Sequence, residues 1–191
     1  MRKTTSIAEE ACRAIYRSFC RLGGRPSVLV IDQDAAFVVK LDTCGNLVFA
    51  GPPGLGKTMV AAGLGLHVIN SGYTVCFEKM VSLVKILDTA ETERTAGFRL
   101  KNLKKTQLII IDEIGYTPIT RSQANRFFTF ISDTYETSSL LFTTNKKIID
   151  WAEMMRDPVL TTALLERILY RAKCYSFQGE SYRLKHPDLF N

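Results

Sequence analysis

The pattern of hydrophobic and polar positions changes near residues 42–45 and divides the chain into two unequal parts. Over residues 4–22 the apolar side chains recur at the spacing of an amphipathic helix, and a short apolar run at 28–31 is typical of a buried strand. The pattern therefore predicts an N-terminal segment of residues 1–44 that consists of a helix and a strand. Residues 45–191 are predicted to form the main domain.

Beyond residue 45 the pattern repeats as strand, turn, helix and strand, which is typical of a parallel sheet covered by helices. We predict strands at 46–50, 74–78, 107–112, 139–143 and 174–178, and helices at 57–70, 82–89, 121–135, 150–156 and 160–170. The strand at 107–112 is the most hydrophobic, so we expect it at the centre of the sheet. The predicted fold class is therefore α/β, with a five-stranded parallel sheet between layers of helices.

A glycine-rich loop joins the first strand of this domain to its first helix and fits the phosphate-loop pattern GxxxxGK[ST]. It consists of Gly51, Pro52, Pro53, Gly54, Leu55, Gly56, Lys57 and Thr58. The glycines allow successive backbone N–H groups to turn towards a polyphosphate, and the helix N-terminus adds partial positive charge. We expect Lys57 to bridge the β- and γ-phosphates of ATP and the Thr58 hydroxyl to ligate Mg²⁺. The alternative is an ordinary Gly/Pro turn that carries a surface lysine.

Two adjacent carboxylates end the hydrophobic strand at 107–112, where packing gives no reason for them. Asp112 would hold Mg²⁺ at the carboxyl edge of the sheet, and Glu113 would polarise the attacking water as a general base. Asn145 follows the strand at 139–143 and would emerge on the same edge, where it could orient that water or contact the γ-phosphate. The alternatives are a strand-ending turn for the two acids and a strand-terminating residue for Asn145.

Two arginines near the end of the last predicted helix, Arg167 and Arg171, lie one helical turn apart and share a face. In a head-to-tail assembly one of them could reach the nucleotide of an adjacent subunit as an arginine finger, which stabilises transition-state charge. This interpretation predicts a homo-oligomer. Either arginine could instead be an ordinary solvated charge.

The composition of the 191 residues is that of a globular protein with one core, since 46% are hydrophobic and 23% are charged. No segment has the roughly 18 uninterrupted apolar residues that a membrane span requires, so we expect no membrane partner. Residues 1–20 contain no apolar run of the secretory type, and we expect a cytoplasmic location.

The cysteines argue against both a metal site and a disulfide framework. Five cysteines are scattered without a CxxC pair and with only two histidines, which disfavours both a zinc site and a disulfide framework. We expect reduced, mostly buried thiols. The cysteines are Cys12, Cys20, Cys44, Cys76 and Cys174.

A formal net charge of +6 makes an acidic partner plausible, and nucleic acid is the commonest such partner. The basic residues between the second and third predicted strands could contact phosphates without reading base sequence. They are Lys79, Lys85, Arg94, Arg99, Lys101, Lys104 and Lys105, with Lys146 and Lys147 as a weaker second candidate. The alternative for this stretch is a solvated basic face.

These residues together support a resemblance that covers residues 46–185. The strings that carry it are NLVFAGPPGLGKT at 46–58, LIIIDEIGYTPI at 108–119, LLFTTNKKIIDWAEMMRDPVLTTALLERILYRA at 140–172 and GESYRL at 179–184. They resemble the AAA+ ATPase core of the IstB family, the helper ATPases encoded beside certain insertion-sequence transposases, which is related to the DnaC-type helicase loaders. The phosphate loop is common to many ATPases, whereas the combination with the other strings is far more specific.

The resemblance implies roles for named residues and partners for the whole protein. It implies ATP and Mg²⁺ as ligands, Lys57 and Thr58 in the ATP loop, Asp112 as the metal acid and Glu113 as the catalytic acid. It implies a polar sensor at Asn145 and an arginine-finger helix, for which we favour Arg171 over Arg167. It also implies ATP-dependent assembly on DNA and action on a partner transposase. Because the chain stops soon after the predicted fifth strand, we expect no C-terminal helical lid, which agrees with a minimal member of this kind.

The N-terminal residues depart from that family, in which a longer helical region precedes the phosphate loop. The string at 19–39 instead resembles a fragment of the catalytic domain of the partner transposase, in which Asp32 or Asp34 would be a remnant metal ligand. We expect this fragment to be inert, because one carboxylate strand cannot build a two-metal site.

Three other functions are compatible with the sequence. A helicase loader would share the AAA+ core, and a small-molecule kinase would share the GxxxxGKT loop. The paired acids with Asn145 fit activation of water better than phosphoryl transfer to an acceptor. An inactive fusion remnant would bind ATP or DNA without turnover.

Overall fold

The structure is a computed structural model that describes residues 45–181. The predicted N-terminal segment, including the helix at 4–22, the strand at 28–31 and the transposase-like string at 19–39, lies outside the described residues. Asp32, Asp34 and the first three cysteines lie outside them as well.

The described residues alternate between strands and helices along the chain. The strands are β1 (Asn46–Ala50), β2 (Val75–Lys79), β3 (Leu108–Ile114), β4 (Ser139–Thr144) and β5 (Ala172–Ser176). The helices are α1 (Lys57–Asn70), α2 (Met80–Thr89), α3 (Arg94–Leu103), α4 (Arg121–Thr134), α5 (Trp151–Met155) and α6 (Pro158–Leu169), with a 3₁₀ turn at Ile148–Asp150. The predicted class, a five-stranded parallel sheet with helices, is confirmed.

The strand order in the sheet is β2-β3-β4-β1-β5, and every neighbouring pair is parallel. Our expectation that the strand carrying the acids occupies the centre is wrong, because β4 has the middle position and β3 lies beside it. Any interior strand is covered by neighbours and by both helical layers, so a hydrophobic run does not distinguish the second position from the third.

Side chains of each interior strand alternate between two hydrophobic clusters, one on each face of the sheet. Leu108 and Ile110 of β3 face a cluster that includes the buried side of α1. Ile109 and Ile111 face the opposite cluster, to which α2, α4, α5 and α6 contribute. The alternation follows from the two-residue period of a strand, and burial on both faces explains the nearly unbroken apolar sequence.

Local sequence signals set the starts of two helices. Thr120 and Gln123 form a reciprocal capping box at the start of α4, with Gln123 N donating to Thr120 Oγ1 (3.2 Å). The Asp157 carboxylate accepts from Leu160 N (3.0 Å) at the start of α6, and Pro158 occupies the first helical position. The DPVL string is therefore a helix start.

Helix α3 is the element that the sequence pattern did not predict. Its buried positions are only Ala96 and Leu103, with Leu100 packed partly against the core. The other positions are mostly polar or basic, so the sequence pattern indicated only a polar, basic stretch there. β5 begins two residues earlier than predicted and is an exposed edge strand, so Cys174 is exposed rather than buried, while Cys76 is half-buried. No helix within residues 45–181 is both long and apolar enough to cross a membrane.

Candidate active site

The candidate site lies at the carboxyl edge of three neighbouring strands, β3, β4 and β1. The glycine loop follows β1, Asp112 and Glu113 lie near the end of β3, and Asn145 directly follows β4. Gly51 N donates to Thr144 O (3.2 Å), which ties the loop to the end of β4. Because parallel strands end at the same edge, the structure brings the loop, both acids and the exposed Asn145 together.

The glycines of the loop adopt backbone conformations that other residues rarely accept. The φ angles of Gly51, Gly54 and Gly56 are 150°, 81° and 80°. A Cβ atom on Gly51 would lie 2.3 Å from Phe177 O, and one on Gly54 would lie 2.0 Å from Ser181 Oγ. The segment that follows β5 therefore lies directly against the loop, and neither glycine can be replaced without displacing it.

The Lys57 side chain is folded into the glycine loop. Its Nζ atom donates to Gly51 O and to Pro52 O, both at 2.7 Å, and the residue is buried. Charged phosphate oxygens are stronger acceptors than backbone carbonyls. The ammonium is thus held inside the loop by neutral acceptors for which a polyphosphate could compete.

Asp112 connects the start of α1 to the end of β3. Its Oδ1 atom accepts from Thr58 Oγ1 (3.0 Å) and from Thr143 Oγ1, and only 1% of the residue is exposed. Mg²⁺ prefers oxygen ligands and is commonly bound by one or two carboxylates together with substrate phosphates and waters. One carboxylate and one hydroxyl beside a phosphate loop fit that ligand set.

Burial of Asp112 disfavours its charged form and raises the pKa of this carboxyl above its ordinary value of 3.8. The hydrogen bonds from Thr143 and Thr58 lower the pKa, the nearby Glu113 charge raises it and Lys79 lowers it, but burial outweighs the lowering effects. The folded protein therefore holds this proton more tightly than the unfolded chain does. Ionisation of Asp112 lowers the free energy of unfolding as pH rises from 3.8 through the folded pKa.

We expect Asp112→Asn to gain stability relative to the unsubstituted protein as pH rises, in the absence of Mg²⁺ and nucleotide. The amide is nearly isosteric and uncharged, so above the folded pKa of Asp112 the substitution removes the cost of burying a charge. Below pH 3.8 the carboxyl is protonated in both the folded and the unfolded chain, and this difference in stability disappears. Thermal midpoints measured across pH with chelator present test this. Asp133→Asn is the matched control, because Asp133 pairs with Lys104 at the surface, with both side chains 42% exposed. A difference between Asp112→Asn and the parent that does not change with pH would contradict the expectation.

The strand carrying the two acids leaves its regular pairing at those residues. The register of β3 against β4 shifts between Ile111 and Ile114, so Asp112 and Glu113 lie opposite one residue, Thr143. Glu113 has a φ of 61°, which is uncommon for a residue with a side chain. The Glu113 side chain is 56% exposed, whereas Asp112 beside it is buried. The bulge therefore gives the two adjacent carboxylates different environments.

Thr143 holds both acids through one hydroxyl group. Its Oγ1 atom donates to Asp112 Oδ1 and accepts from Glu113 N (3.0 Å). Thr143 received no role in the sequence analysis. Its role as a bridge becomes visible only when β4 is known to be the neighbour of β3.

The exposed carboxylate of Glu113 forms an ion pair with Lys79 at the end of β2, with Nζ and Oε2 3.2 Å apart. Lys79 pairs in register with Asp112 across the two strands, which places it beside the acids. Lys79 was predicted to contact DNA, but in the structure it neighbours the candidate catalytic residue.

The remaining predicted DNA contacts fall into two groups. Arg99 forms an ion pair with Glu78, and Lys104 Nζ lies 2.7 Å from Asp133 Oδ2. The others are exposed, and no carboxylate of residues 45–181 forms an ion pair with them: Lys85, Arg94, Lys101, Lys105, Lys146 and Lys147. The basic stretch thus contains both structural ion pairs and cations available to a partner.

The two candidate arginine fingers lie at the other edge of the sheet. Arg171 immediately precedes β5, and its carbonyl accepts from Asn46 N at the start of β1 (3.1 Å). The five residues of β1 span about 17 Å, so the phosphate loop lies at the far end of that strand. Arg167 donates to Ala163 O (3.0 Å), and its guanidinium lies 4.6 Å from the centre of the Phe128 ring. The structure therefore does not bring either arginine to the site of its own chain.

Comparison with protein families gives one family model that matches residues 30–189, the IstB-like ATP binding proteins. A Pseudomonas aeruginosa protein whose name assigns it to insertion sequence IS21 and to ATP binding is 40% identical over 153 residues, which are 80% of this chain and 58% of that protein. A Bacillus thuringiensis protein named in the same way for insertion sequence IS232 is 41% identical over 140 residues, 73% of this chain and 56% of that protein. The chain thus spans less than two thirds of the length of these relatives.

Solved structures share the fold at much lower sequence identity. The DnaC helicase loader superposes with a TM-score of 0.68 and 19% identity, over 85% of this chain and 99% of that one. The replication initiator DnaA bound to AMPPCP and single-stranded DNA superposes with a TM-score of 0.63 and 13% identity, over 86% of this chain and 51% of that one. At these identities the likeness concerns the fold alone.

Proposed function

Because the chain belongs to the family of IstB-like ATP binding proteins, we propose that it binds ATP at the β1–α1 loop, hydrolyses it, and assists a transposase on DNA. The observation that carries the proposal is the hydrogen bond between Thr58 and Asp112 (3.0 Å). It joins the loop that would bind the triphosphate to the strand end that bears both acids. A loop with no relation to nucleotide chemistry has no need of a buried carboxylate at this position.

Binding of the triphosphate is assigned to the loop and to Lys57. Backbone N–H groups of residues 51–58 and the N-terminus of α1 supply partial positive charge. The Lys57 ammonium exchanges the carbonyls of Gly51 and Pro52 for phosphate oxygens, which are stronger acceptors for a cation. Thr58 and Asp112 would hold Mg²⁺, which when bound neutralises charge on the phosphates.

Activation of water is assigned to Glu113, and orientation of the water to Asn145. The Glu113 side chain is exposed at the edge of the sheet, so its carboxylate can accept a proton from water, whereas Asp112 is buried and hydrogen-bonded. Thr143 fixes the backbone of Glu113 through the bond to its N–H group. Asn145 leaves β4 between the strand with the acids and the strand with the loop, where an amide can bond to water or to the γ-phosphate.

The biological setting is proposed from the relatives and from charge. The names of the relatives connect them with insertion sequences and ATP binding. A net charge of +6 and the exposed cations of α3 favour DNA as a partner, contacted through phosphates rather than base edges. A transposase encoded by the same kind of element is the proposed protein partner, and the distance of Arg171 from its own loop favours a homo-oligomer.

Lys57→Ala tests the ATP site. We expect ATP affinity to fall about ten- to a hundredfold, because a hydrogen bond from a charged donor is worth about 1.5–3 kcal/mol. Titration with a fluorescent ATP analogue in the presence of Mg²⁺ measures the affinity. Lys85→Ala is the matched control, since Lys85 is an exposed lysine on α2 and is not part of the loop.

The two variants together decide whether the loop binds nucleotide. Equal affinity for Lys57→Ala and the parent would remove the basis of the proposal, as would absence of ATP binding by the parent. Loss of affinity in both lysine variants would point to a general charge effect rather than to a site at the loop.

A further inference from the structure

Helix α3 exposes a face that combines cations with an aromatic ring. Arg94, Phe98 and Lys101 recur at intervals of four and three residues, so they lie on one side of the helix, and Lys105 follows four residues later in the turn that ends it. The opposite side bears the buried Ala96 and Leu103. We call Arg94, Phe98, Lys101 and Lys105 the α3 stripe.

The charge of the α3 stripe is not compensated by acids on its own element. Residues 94–105 contain five cations and no Asp or Glu. Arg99 and Lys104 are occupied by ion pairs with Glu78 and Asp133, and these two cations lie outside the stripe. Within the described part of the chain, the cations of the stripe take part in no ion pair. The stripe is thus the part of this basic stretch that can accept an anionic partner.

The ring of Phe98 indicates what kind of anion that partner is. Phe98 is 65% exposed although phenylalanine is a residue that usually packs inside, and it lies between cations on both sides. A docking protein with an acidic surface would leave the ring against polar groups. A nucleic acid offers phosphates for the cations and a flat base for the ring, and base–aromatic stacking of this kind is independent of base sequence.

Unpaired bases can stack on Phe98 without the cost of unstacking a duplex, in which the bases are already stacked on each other. Arg94 and Lys101 are separated by about 10 Å along the helix axis, so they lie on either side of the Phe98 ring. We propose that the α3 stripe binds single-stranded DNA, with a base stacked on Phe98 and the flanking phosphates on Arg94, Lys101 and Lys105. The inference deepens the DNA contact of the proposed function and rests on it.

Binding of labelled oligothymidylate and of a labelled duplex of the same length tests the inference in the full chain with ATP and Mg²⁺. We expect Phe98→Ala to weaken binding of the single strand about five- to a hundredfold and to leave duplex binding unchanged. Phe98→Leu should weaken binding of the single strand as Phe98→Ala does, because leucine has no π-face. Phe98→Trp should retain the binding of the parent. Thermal midpoints check that these exposed substitutions leave the fold intact.

The contribution of charge is tested by salt dependence. Lys101→Ala should lower the affinity for the single strand and reduce the slope of log affinity against log salt by about 0.7, the value for one phosphate contact on a single strand. Lys104→Ala is the matched control, because Lys104 pairs with Asp133, and it should change neither quantity.

Several results would overturn the inference. If Phe98→Ala binds the single strand as tightly as the parent does, the stacking on Phe98 is excluded although the parent still binds DNA. If Phe98→Ala weakens binding of the single strand and of the duplex equally, a base stacked on Phe98 is excluded. A smaller oligomer in Phe98→Ala with unchanged DNA affinity would make the ring a protein contact instead. If the parent binds no DNA, the DNA part of the proposed function fails as well, whereas ATP binding is decided separately by Lys57→Ala.

Discussion

Glu113→Gln is expected to lower ATP turnover by about two to four orders of magnitude while ATP binding stays within a fewfold of the parent. Glutamine cannot accept a proton from the attacking water, but it has nearly the same size and keeps the backbone N–H that Thr143 binds. Since the replaced side chain is 56% exposed, the substitution should not disturb the fold. Asp112 and the glycine loop, which are assigned to binding, are unchanged.

Phosphate release with and without DNA measures turnover, and titration with a fluorescent ATP analogue measures binding. Glu113→Gln also breaks the ion pair with Lys79, so a second variant must separate the two effects. Lys79→Met removes the ion pair and keeps the carboxylate, and because exposed ion pairs contribute little, turnover should stay within a fewfold of the parent. Parent-like turnover in Glu113→Gln would exclude it as the base. If the parent itself shows no turnover under any condition, the chain would be a nucleotide-binding remnant.

The sequence was most informative where backbone conformation and chemistry are encoded locally. The loop 51–58 carries its glycines, lysine and threonine in a single run, and α1 follows it over the residues predicted, Lys57–Asn70. The strand that bears the acids was recognised because burial on both faces requires an apolar run, and two carboxylates at its end are then conspicuous. Local patterns of this kind need no knowledge of neighbouring strands.

The features that the sequence did not reveal depend on which strands are neighbours. The middle position of β4 and the bridge formed by Thr143 both follow from the strand order. The pairing of Lys79 with Glu113 likewise requires β2 to lie beside β3. Lys79 was assigned to DNA together with the other cations between the second and third predicted strands, because position in the sequence does not distinguish a lysine beside an acid from one facing solvent.

Helix α3 was missed for a different physical reason. A helix is recognised by a regular apolar face, and here that face is small, with Ala96 and Leu103 buried and Leu100 partly buried. Its remaining positions were interpreted as a polar, basic stretch. The polar side that concealed the helix is the same side on which we place the single-stranded DNA.

The location of Arg171 determines how its proposed role as an arginine finger should be tested. Because the phosphate loop of its own chain lies about 17 Å away along β1, an arginine finger at Arg171 would have to act on the nucleotide of another subunit. Arg171 is exposed, with its guanidinium 5.7 Å from the centre of the Tyr170 ring. Arg167 donates to Ala163 O and lies over Phe128, contacts that it would have to leave to reach another subunit.

Arg171→Ala is therefore expected to lower turnover by about three to five orders of magnitude without loss of ATP binding, as removal of an arginine finger does. Arg167→Ala, the matched control one turn earlier, should reduce turnover much less and lower stability by about 0.5–1 kcal/mol through the lost contact with Phe128.

Mixing two inactive variants shows whether the arginine acts between subunits. Glu113→Gln subunits retain Arg171 but cannot activate water, and Arg171→Ala subunits retain an intact loop and both acids. In a head-to-tail assembly some interfaces of the mixture place Arg171 of a Glu113→Gln subunit beside the intact loop and acids of an Arg171→Ala subunit. Turnover should therefore reappear on mixing, although neither variant is active alone. Phosphate release at several mixing ratios measures the recovery. Absence of recovery, with mixed oligomers present by sedimentation, would mean that Arg171 does not complete the site of a neighbour.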